Sequence, residues 1–546
     1  MKPVPTPPVL APHRRRDIAL AALAAALLAT VLYLPSVVNP MIWDDNLHVP
    51  IAIKMKPMEA FGPAGGAYRR PLVLLSYAAQ SRLAAASARD LHAANALIHG
   101  ANAALVVAVL VGLGGAVPLA FAAAVLFAFH PLASGSVAYI SGRTDLLATF
   151  FTLLAVWLSA RSPRPGTGAW SAWKGSALAC LAVAAAALSK ESGLAAGPLV
   201  AAVLWWRRAA GDRSVTVARM ALALAVSAAL ALVVVPDAAA TTVSTALRLR
   251  GVGTALVTYA GLVVWPAGLH LDRLTPVGSG AAAVLGGVAV AAAAAALAIF
   301  AKRPTRAGLL AVALVLLYAP GSGIVPVYPS IADRLVFTGE QFLYAPMIVI
   351  ATLVVTAGAM AVERFATGLR GASSRGSGEA AGEASRGALA VVAVAASAAL
   401  AWTPVVLARQ GEFASEEQVY RTTLEHSPSP RACFNLGGLF LARRDYGEAV
   451  SVYERCVAMA PGDAGAYGQF AVALQQAGKP DDARRAYERS TTLDSRNALV
   501  WSNFATLDAN SGRLGDARTK WERALSIDPG EKTARAALAR LNAATR

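Results

Sequence analysis

Long apolar runs recur along the first three quarters of the chain, and they constrain its fold more than any other feature. An α-helix rises about 1.5 Å per residue, so about 20 apolar residues cross the hydrocarbon core of a bilayer. Hydrophobic residues make up 56% of the chain and charged residues only 15%, whereas soluble proteins carry about 25% charged residues. Both a soluble globular protein and a disordered chain are therefore excluded. Eleven runs are candidate membrane crossings, at residues 18–38, 91–113, 116–138, 144–161, 175–190, 193–206, 216–235, 280–301, 307–320, 341–362 and 388–408.

The first run follows Arg14-Arg15-Arg16 and extends from about Ile18 to Val38. A cleaved signal peptide is the alternative interpretation, but its apolar region is shorter and ends in an Ala-x-Ala-like site. This run instead contains Pro35 near its end and continues to Trp43. We therefore interpret it as an uncleaved first helix, preceded by a cytoplasmic tail of residues 1–16.

The excess of basic residues lies between the apolar runs. The formal net charge is +17, but from Glu412 onward 18 Lys and Arg stand against 17 Asp and Glu, which leaves +16 on the apolar part. Basic residues between membrane helices mark the cytoplasmic side. The charge therefore indicates membrane topology and argues against a nucleic-acid partner.

Alternate crossings that start from a cytoplasmic N-terminus place every basic loop inside, provided that residues 251–269 do not cross. These loops are Arg161 to Lys174, Arg207 to Arg213, Lys302 to Arg306 and Arg364 to Arg386. The 251–269 stretch is broken by Trp265-Pro266, and we interpret it as re-entrant or interfacial, which membranes tolerate where protein buries the segment. An odd number of crossings then places everything after Ala408 on the outer side.

An internal repeat with a 34-residue period occupies the C-terminal region. Small residues recur at this spacing, at Gly437, Ala471 and Ala505, and they let two antiparallel helices approach in each copy. The pattern resembles the tetratricopeptide repeat over about residues 430–542, in three copies with residues 412–426 as a leading cap. Three positions depart from the pattern, namely Arg444 in place of a turn Gly, Ser495 in place of Pro and Asp508 in place of an apolar residue.

Three cysteines, Cys180, Cys433 and Cys456, define neither a disulfide framework nor a CxxC metal site. Cys433 and Cys456 fall at similar distances from the turn of the first repeat, on facing helices. In an oxidising outer compartment they could pair. We favour the alternative, in which two small side chains fill positions of the repeat.

Charged residues are costly in membrane helices, so those that are retained there are candidates for function. In the predicted topology one set of such residues faces outward throughout: Asp44, Asp45, Arg70, His130, Arg143, Asp145, Lys190, Glu191, Asp272, Asp333, Arg334 and Glu340. Because scattered charges would rarely agree in side, we predict a single outward-facing site at the membrane surface. The alternatives are snorkelling to lipid headgroups for the cations and a simple ion pair for Lys190-Glu191.

The second apolar run carries His92, Asn95, His99 and Asn102 on one face of a helix. His92 and His99 lie two turns apart, about 10 Å along the axis, so they cannot bind one metal ion directly. The spacing instead predicts a stripe of interhelical hydrogen bonds.

An ordered series of short motifs runs through the chain: Trp43-Asp44-Asp45, Arg70-Pro71-Leu72, His92-x-x-Asn95, Phe129-His130-Pro131, Ile140-Ser141-Gly142-Arg143-x-Asp145, Ser189-Lys190-Glu191, Trp265-Pro266 and Glu340-x-Phe342-Leu343-Tyr344-x-Pro346. Followed by tetratricopeptide repeats, this series resembles the transmembrane and tetratricopeptide-repeat-containing (TMTC-like) family. The resemblance implies a GT-C class membrane glycosyltransferase related to protein O-mannosyltransferases, with a GT-C-like domain at 17–410 and a repeat domain at 411–546. Two positions depart from the family, Gly135 where it has an acidic residue and Gln341 where it has Arg.

The chemistry implied is transfer of a sugar, mannose by the family resemblance, from a polyprenyl-phosphate donor to hydroxyl groups of exported proteins. Asp44 is our first candidate for the base and Asp45 the second; the pair could also bind a divalent cation such as Mg²⁺ or Mn²⁺. Positive charge for the leaving phosphate would come from Arg70, Arg143, Lys190 or Arg334. His130, Asp145, Glu191 and Glu340 complete the predicted substrate site.

Two other functions remain open. One is a glycosyltransferase that acts on a lipid-linked glycan, and the other is a non-enzymatic, membrane-anchored repeat scaffold for envelope complexes. The high content of Ala and Arg suggests the inner membrane of a bacterium. The fold expected for all three is all-α: a polytopic bundle of about eleven crossings followed by an α-solenoid of repeats, with the repeats on the outer side.

Overall fold

The structure is a computed structural model that describes residues 12–62, 70–83, 87–161, 169–208, 213–234, 244–322, 331–332, 335–368 and 377–544. The chain divides into two compact units, Met1–Ser415 and Glu416–Arg546. We call the first the helical bundle and the second the repeat unit. Both are built almost entirely from helices, as the sequence predicts.

Fifteen α-helices are described in the bundle: α1 (Pro12–Tyr33), α2 (Asp45–Lys54), α3 (Pro71–Leu83), α4 (Ala88–Gly112), α5 (Val117–Phe129), α6 (Ser134–Val137), α7 (Arg143–Ala160), α8 (Ala169–Ser189), α9 (Ala196–Trp206), α10 (Arg213–Val234), α11 (Thr245–Val264), α12 (Gly280–Lys302), α13 (Arg306–Tyr318), α14 (Pro346–Gly368) and α15 (Ser377–Glu412). Short 3-10 segments connect several of them, at Leu34–Val38, Pro57–Phe61, Pro131–Ala133, Ile140–Gly142, Glu191–Ala195, Ala319–Gly321 and Glu340–Leu343.

Every predicted apolar run contains a helix, but not every helix is long enough to cross a membrane by itself. Within the described residues, eight helices have the length and composition of a membrane span, or nine if the bent pair Val117–Phe129 and Pro131–Val137 is one span. Trp173–Ser189 and Arg306–Gly321 are shorter apolar helices. The number of eleven crossings therefore stays a prediction.

The two ends of the bundle differ in chemistry. At one end Arg306 donates to Gly114 O (3.2 Å), Arg207 to Ala160 O (2.6 Å) and the indole of Trp205 to Ala301 O (3.1 Å). We call this the arginine end, since the basic loops of the sequence adjoin it. Helix α7 runs from there to Arg143, about 25 Å away at 1.5 Å per residue. We call that opposite end the acidic end.

Helix α11 contains most of the stretch that the sequence left ambiguous, and it packs closely against α12. A Cβ on Gly253 would lie 2.0 Å from Ala282 O, and one on Gly286 would lie 2.0 Å from Leu249 O. Leu249 lies beside Gly286 of α12, and α11 begins only four residues before Leu249, whereas α12 continues to Lys302. The first residue of α11 therefore lies about 18 Å short of the end of α12 at Lys302. The helix has the composition of a span, so the re-entrant or interfacial placement of this stretch stays a prediction.

A small antiparallel sheet, which the sequence did not predict, lies among these helices. Its strands are β1 (Leu274–Pro276), β2 (Ile331–Ala332) and β3 (Leu335–Phe337), in the order β1-β3-β2. Thr275 pairs with Val336 in the register of β1 and β3. The sheet joins the chain after α11 to the chain before Glu340.

The repeat unit consists of α16 (Glu416–His426), α17 (Pro430–Arg443), α18 (Tyr446–Met459), α19 (Ala464–Gln476), α20 (Pro480–Leu493), α21 (Ala498–Asn510), α22 (Leu514–Ile527) and α23 (Lys532–Ala544). The first helices of successive pairs begin at residues 430, 464 and 498, which reproduces the 34-residue period. Gly478 and Gly512 have φ of +75° and +78°, and Arg444 occupies the equivalent position with φ of +63°. A non-glycine residue is strained there.

Cys433 and Cys456 form a disulfide between α17 and α18. The expectation of two unpaired small side chains was wrong, although their placement on facing helices was right. The two Cα atoms lie 5.6 Å apart, within the range that a disulfide spans. The spacing from the turn places both side chains at the same level of the helix pair, which the sequence alone did not resolve.

Candidate functional site at the acidic end

The Trp43-Asp44-Asp45 motif forms a strained turn that leads into α2. Trp43 has φ of +51°, a left-handed conformation that costs a bulky residue about 1–3 kcal/mol. Asp45 secures the turn: Oδ1 accepts hydrogen bonds from Ser141 N (2.7 Å) and Ser141 Oγ (2.5 Å), and Oδ2 accepts one from Ile42 N (3.2 Å). The side chain of Asp45 therefore has a structural role that explains why it follows a strained residue.

Asp45 does not have the access expected of a base that meets a substrate. It is completely buried, and burial raises its pKa to about 7 although Ser141 and Ile42 hydrogen bonds lower it. Of the two predicted carboxylates, Asp44 is the more accessible and is half-buried. Our ranking of Asp44 before Asp45 agrees with this difference.

Asp44 lies near the imidazole of His48, which also lies near the positive charge of Arg70. The backbone N–H of Asp44 donates to Tyr139 Oη (3.2 Å). Burial lowers the pKa of the nearby His48, the negative charge of Asp44 opposes that shift, and the positive charge of Arg70 adds to it. Asp44, His48 and Arg70 therefore form one electrostatic group at the acidic end.

Arg70 and Glu191 form a bidentate ion pair. Arg70 Nε donates to Glu191 Oε2 (3.1 Å) and Nη2 donates to Oε1 (2.6 Å). The Arg70 side chain is 24% exposed, whereas that of Glu191 is 1% exposed. The Arg70 side chain is thus partly exposed, while the carboxylate of Glu191 is covered.

Lys190 pairs with Asp145 rather than with its neighbour Glu191. Lys190 Nζ donates to Asp145 Oδ1 at 2.6 Å, with both side chains almost buried, and the ammonium lies 5.3 Å from the centre of the Phe342 ring. The simple Lys190-Glu191 ion pair considered from sequence is therefore wrong. Two other ion pairs form instead, Arg70 with Glu191 and Lys190 with Asp145. They connect the start of α3, helix α7 and the segment after α8.

A small open cleft adjoins this second pair. Asp145 lies at the cleft together with Thr149 and Thr152 of α7, while Gly321, Gln341 and Phe342 lie on other walls. Most of the lining is apolar or carries a hydroxyl, and Asp145 is the carboxylate within it. The lining is therefore mixed, with one carboxylate, Asp145, that is bonded to Lys190.

Arg143 does not fit the predicted role of a phosphate ligand. It is 2% exposed, and it donates to Asn95 Oδ1 (2.8 Å), Gln80 Oε1 (2.9 Å) and Leu91 O (2.9 Å). Its guanidinium also lies 4.5 Å from the centre of the Tyr77 ring. Arg143 therefore connects α3, α4 and α7, because its guanidinium N–H groups donate hydrogen bonds within the protein.

The polar stripe of α4 forms the predicted interhelical hydrogen bonds at three of its four positions. Asn95 donates to Ile140 O (3.2 Å), His99 Nδ1 meets Tyr344 Oη (2.7 Å), and Asn102 donates to Leu146 O (3.1 Å). His92 is buried, and its ring lies near the backbone of Asn39 and Pro40 rather than bonding to a neighbouring helix. The structural interpretation of the stripe is confirmed for Asn95, His99 and Asn102.

His130 uses both ring nitrogens within the bundle. Nδ1 accepts from Leu132 N (3.3 Å) and Nε2 contacts Val263 O (3.0 Å), while the ring meets Trp402 edge to face. It is 2% exposed. The predicted substrate contact is replaced by a link from the end of α5 to the end of α11.

Glu340 is bound by a residue that the sequence analysis did not select. Arg409 Nη2 donates to Glu340 Oε1 at 2.9 Å, and Arg409 also pairs with Glu412. A Cβ on Gly135 would lie 2.3 Å from Glu340 Oε1, so the carboxylate occupies the space beside the glycine. Arg409 lies near the end of an apolar run, and its charge in that position was the signal that could have identified it.

The remaining predicted residues are placed as follows. Asp333 and Arg334 lie outside the described residues, and Asp272 is buried. Within the described part of the chain, no group of three or more His, Cys, Asp or Glu side chains could hold a metal ion.

Comparisons with known proteins identify the C-terminal repeats. Two family profiles described as tetratricopeptide repeat match residues 405–464 and 440–503. No curated protein sequence matches the chain. The C-terminal region therefore consists of tetratricopeptide repeats, a protein-interaction module.

Solved structures that resemble part of the chain include named tetratricopeptide-repeat domains. The tetratricopeptide-repeat domain of Arabidopsis OM64 is 20% identical, with 21% of this chain and 93% of that chain covered and a TM-score of 0.20. MamA from Desulfovibrio magneticus RS-1 is 20% identical, with 24% and 76% covered and a TM-score of 0.21. The second such domain of human RPAP3, in complex with an HSP70 peptide, is 22% identical, with 21% and 98% covered and a TM-score of 0.20.

Proposed function

We propose that the protein is a membrane glycosyltransferase that transfers a sugar from a polyprenyl-phosphate donor to hydroxyl groups of exported proteins. One observation carries the proposal: Arg70, Asp145, Lys190 and Glu191, which are distant in sequence, come together at one end of the bundle, beside a small and mainly apolar cleft. The resemblance to the TMTC-like family supplies the reaction class and mannose as the sugar. A polar site that adjoins an apolar groove suits a donor with a charged head and a lipid tail.

In the proposed reaction the acceptor hydroxyl oxygen attacks the anomeric carbon of the donor sugar. The bond from that carbon to the phosphate oxygen breaks, the phosphate leaves with the electron pair, and the hydroxyl proton passes to the carboxylate of Asp44. General-base assistance of this kind contributes about 10² to 10⁴ in rate. Asp44 is accessible enough for the role, whereas Asp45 holds the turn from behind.

The leaving phosphate requires positive charge near the cleft. Lys190 is the nearest candidate, since it bonds to Asp145 of the cleft lining, and Arg70, whose side chain is partly exposed, is the second. Each cation already has a carboxylate partner, which keeps it oriented before substrate binds. A phosphate would add to these pairs or displace the carboxylate from them.

The proposed location is the inner membrane of a bacterium, with the acidic end and the repeats on the outer side. Basic loops adjoin the opposite end of the bundle, as expected for a cytoplasmic face. The Cys433–Cys456 disulfide gives independent support, because disulfides persist outside the reducing cytoplasm. The tetratricopeptide repeats would then hold the acceptor protein or a partner on the side where the sugar is transferred.

The proposal is tested with Asp44→Asn in a strain that lacks the native copy, with glycans on exported proteins measured by mass spectrometry. We expect at least a hundred-fold loss of transfer at unchanged protein abundance. Glu59→Gln, which alters an exposed carboxylate of the same loop, is the matched control and should be silent. Glycans that persist unchanged in Asp44→Asn would remove the catalytic assignment, and glycans that persist in the deletion strain would remove the activity.

A membrane-anchored scaffold is the second candidate, and the ion pairing favours it. Arg70, Lys190 and Arg143 each have a partner inside the bundle, so these charges also have a purely structural explanation. A scaffold predicts that complexes captured through the repeats persist in the Asp44→Asn variant, while exported glycans do not depend on the protein at all.

A further inference from the structure

An amide side chain recurs at one position in all three repeats. Asn435, Gln469 and Asn503 lie 34 residues apart, each on the first helix of its pair. All three are half-buried, and within the described part of the chain none of the three side-chain amides forms a hydrogen bond. Each therefore keeps a carbonyl acceptor and N–H donors available for a ligand.

The three amides lie on the side of the first helices that faces away from the second helices. On α17, Cys433 bonds to Cys456 of α18, and a Cβ on Gly437 would lie 2.6 Å from the ring of Tyr453 in α18. Asn435 lies two residues from both Cys433 and Gly437, which turns it to the opposite side of the helix. The 34-residue period gives the other two amides the equivalent place. Helix α19 packs against both α17 and α21, so the three amides form a row across the repeat unit, which we call the amide ladder.

The helices that carry the amide ladder have almost no exposed charge. Helix α19 has no charged residue, and Asp508, the acid of α21, is completely buried. The two basic residues of α17, Arg431 and Arg443, lie at its ends. The second helices differ, since α20 alone carries Asp481, Asp482, Arg484, Arg485, Glu488 and Arg489. Because charged ligands are selected by complementary charge, the amide ladder fits an uncharged ligand.

The spacing of the amide ladder matches an extended polypeptide. Packed helices lie about 8–10 Å apart, and an extended chain rises about 3.3 Å per residue, so successive amides meet peptide units about three residues apart. Each peptide unit offers one N–H donor and one C=O acceptor, and a side-chain amide can accept from the first and donate to the second. Gly438 and Gly465 lie one turn from Asn435 and Gln469 on the same face, and they leave room for a main chain to approach.

We propose that the repeat unit binds an extended, uncharged polypeptide segment through its main chain, with Asn435, Gln469 and Asn503 bonding to peptide units about three residues apart. Main-chain bonds read no side chain, so the segment is recognised because it is extended and uncharged and not by a sequence motif. The inference rests on the proposed function only for the source of the segment, which is then the exported acceptor. The binding itself does not depend on sugar transfer.

The test measures the binding of a labelled peptide to the full-length protein in nanodiscs by fluorescence anisotropy. The first probe is a peptide of about twelve residues of repeated Thr-Ala-Ser, long enough to cross three helices, with acetylated and amidated ends that carry no charge. A second probe has the same side chains but methylated peptide nitrogens, which removes the main-chain N–H donors. A third probe has Asp at every third position.

We expect the first probe to bind saturably, with an affinity that changes less than about two-fold between low and high salt, because no charge pair is screened. Each of Asn435→Ala, Gln469→Ala and Asn503→Ala should weaken binding about five-fold, and the triple variant about a hundred-fold. Ser451→Ala combined with Thr519→Ala, at exposed positions of the second helices, is the matched control and should bind like the wild type. The methylated probe should bind the wild type at least about ten-fold more weakly, a comparison that needs no folded variant.

Equal affinity of the triple variant and the wild type, with equal hydrogen-exchange protection of α17 to α22, overturns the inference, and so does equal affinity for the methylated probe. Preference for the probe with Asp, or the absence of saturable binding by the first probe, overturns it too. Each of these results leaves the proposed sugar transfer standing, because glycans on exported proteins are measured separately. Amide-dependent binding by a protein on which no exported glycan depends removes the transferase and keeps the amide ladder.

Discussion

Asp45 in the helical bundle and Asp508 in the repeat unit are both completely buried carboxylates, but they are held in opposite ways. Asp45 accepts hydrogen bonds from neutral donors, and its pKa is raised to about 7 by burial. Burial alone also raises the pKa of Asp508, but Lys520, Arg513 and Arg484 outweigh it and hold the pKa below its usual value. Burial alone therefore does not decide the charge of a carboxylate; the charge of its partners does.

Of the stability changes predicted from this comparison, the one caused by removing Asp508 should be the largest. Asp508→Ala leaves three cations without their shared anion, and breaking a buried ion pair costs about 3–5 kcal/mol. Because Arg484 and Arg513 are 24% and 39% exposed and can reach water, we expect a loss of about 2–4 kcal/mol. Hydrogen exchange of α20 to α22 in the intact protein measures it.

Glu488→Ala, at an exposed position of α20, is the control and should change the opening free energy of these helices by less than about 0.5 kcal/mol. Equal protection in Asp508→Ala and the wild type would mean that the cations contribute nothing through this carboxylate.

The pH dependence of Asp45 is the second expected effect. Since its pKa is raised in the folded protein, its contribution to stability is complete below about pH 4 and is lost as the pH rises through about 7. We expect the free energy of opening of α2 to fall by about 1–3 kcal/mol between pH 5 and pH 8. Hydrogen exchange of peptides covering residues 42–54, corrected for intrinsic rates, measures this change.

Asp45→Asn removes the titrating group and should abolish that pH dependence at α2. The contribution of Asp508 to stability depends on pH with the opposite sign. Its pKa is lowered in the folded protein, so this contribution is lost as the pH falls through that lowered pKa. If residues 42–54 became more protected from hydrogen exchange as the pH rose from 5 to 8, the assignment of a raised pKa to Asp45 would be contradicted.

The smallest expected effect concerns the strained turn of the first repeat. Arg444 has φ of +63° where the next two repeats have glycine, so Arg444→Gly should stabilise α17 and α18 by about 0.5–1 kcal/mol. The reverse change, Gly478→Ala, should destabilise the second repeat by about 1 kcal/mol. Hydrogen exchange of the two turns gives both values, and a destabilised Arg444→Gly variant would show that the arginine side chain outweighs its backbone strain.

The sequence predicted best those features that depend on local patterns. The 34-residue period gave the starts of α17, α19 and α21, and the apolar runs gave the helices of the bundle, because both patterns follow from helix geometry within short segments. The departures at Arg444 and Asp508 were also visible in sequence. The structure then assigned each a cause: a left-handed turn for Arg444 and a cluster of cations for Asp508.

The partners of the charged residues could not be predicted, because they come from distant parts of the chain. Lys190 bonds to Asp145 across 45 positions and Arg70 to Glu191 across 121, and adjacency in sequence wrongly suggested Lys190 with Glu191. The assignment of Arg143 to the substrate site did not anticipate its burial or its three hydrogen-bond acceptors. Both depend on how the helices pack, which the sequence does not show. The sequence predicted that these charged residues share one side of the membrane, which stays a prediction, but not which of them form bonds inside the bundle.

The sidedness of the two units is tested most directly by labelling single cysteines in intact cells with a membrane-impermeant maleimide. Protein with Cys180→Ala and the repeat disulfide retained carries Glu59→Cys at the acidic end, Lys302→Cys at the arginine end or Glu488→Cys in the repeat unit, all exposed positions. Labelling at 59 and 488 from outside, with 302 labelled only after the membrane is permeabilised, is the predicted result. Labelling of 59 and 488 from opposite sides would contradict the proposal that the repeats and the acidic end lie on the same side of the membrane.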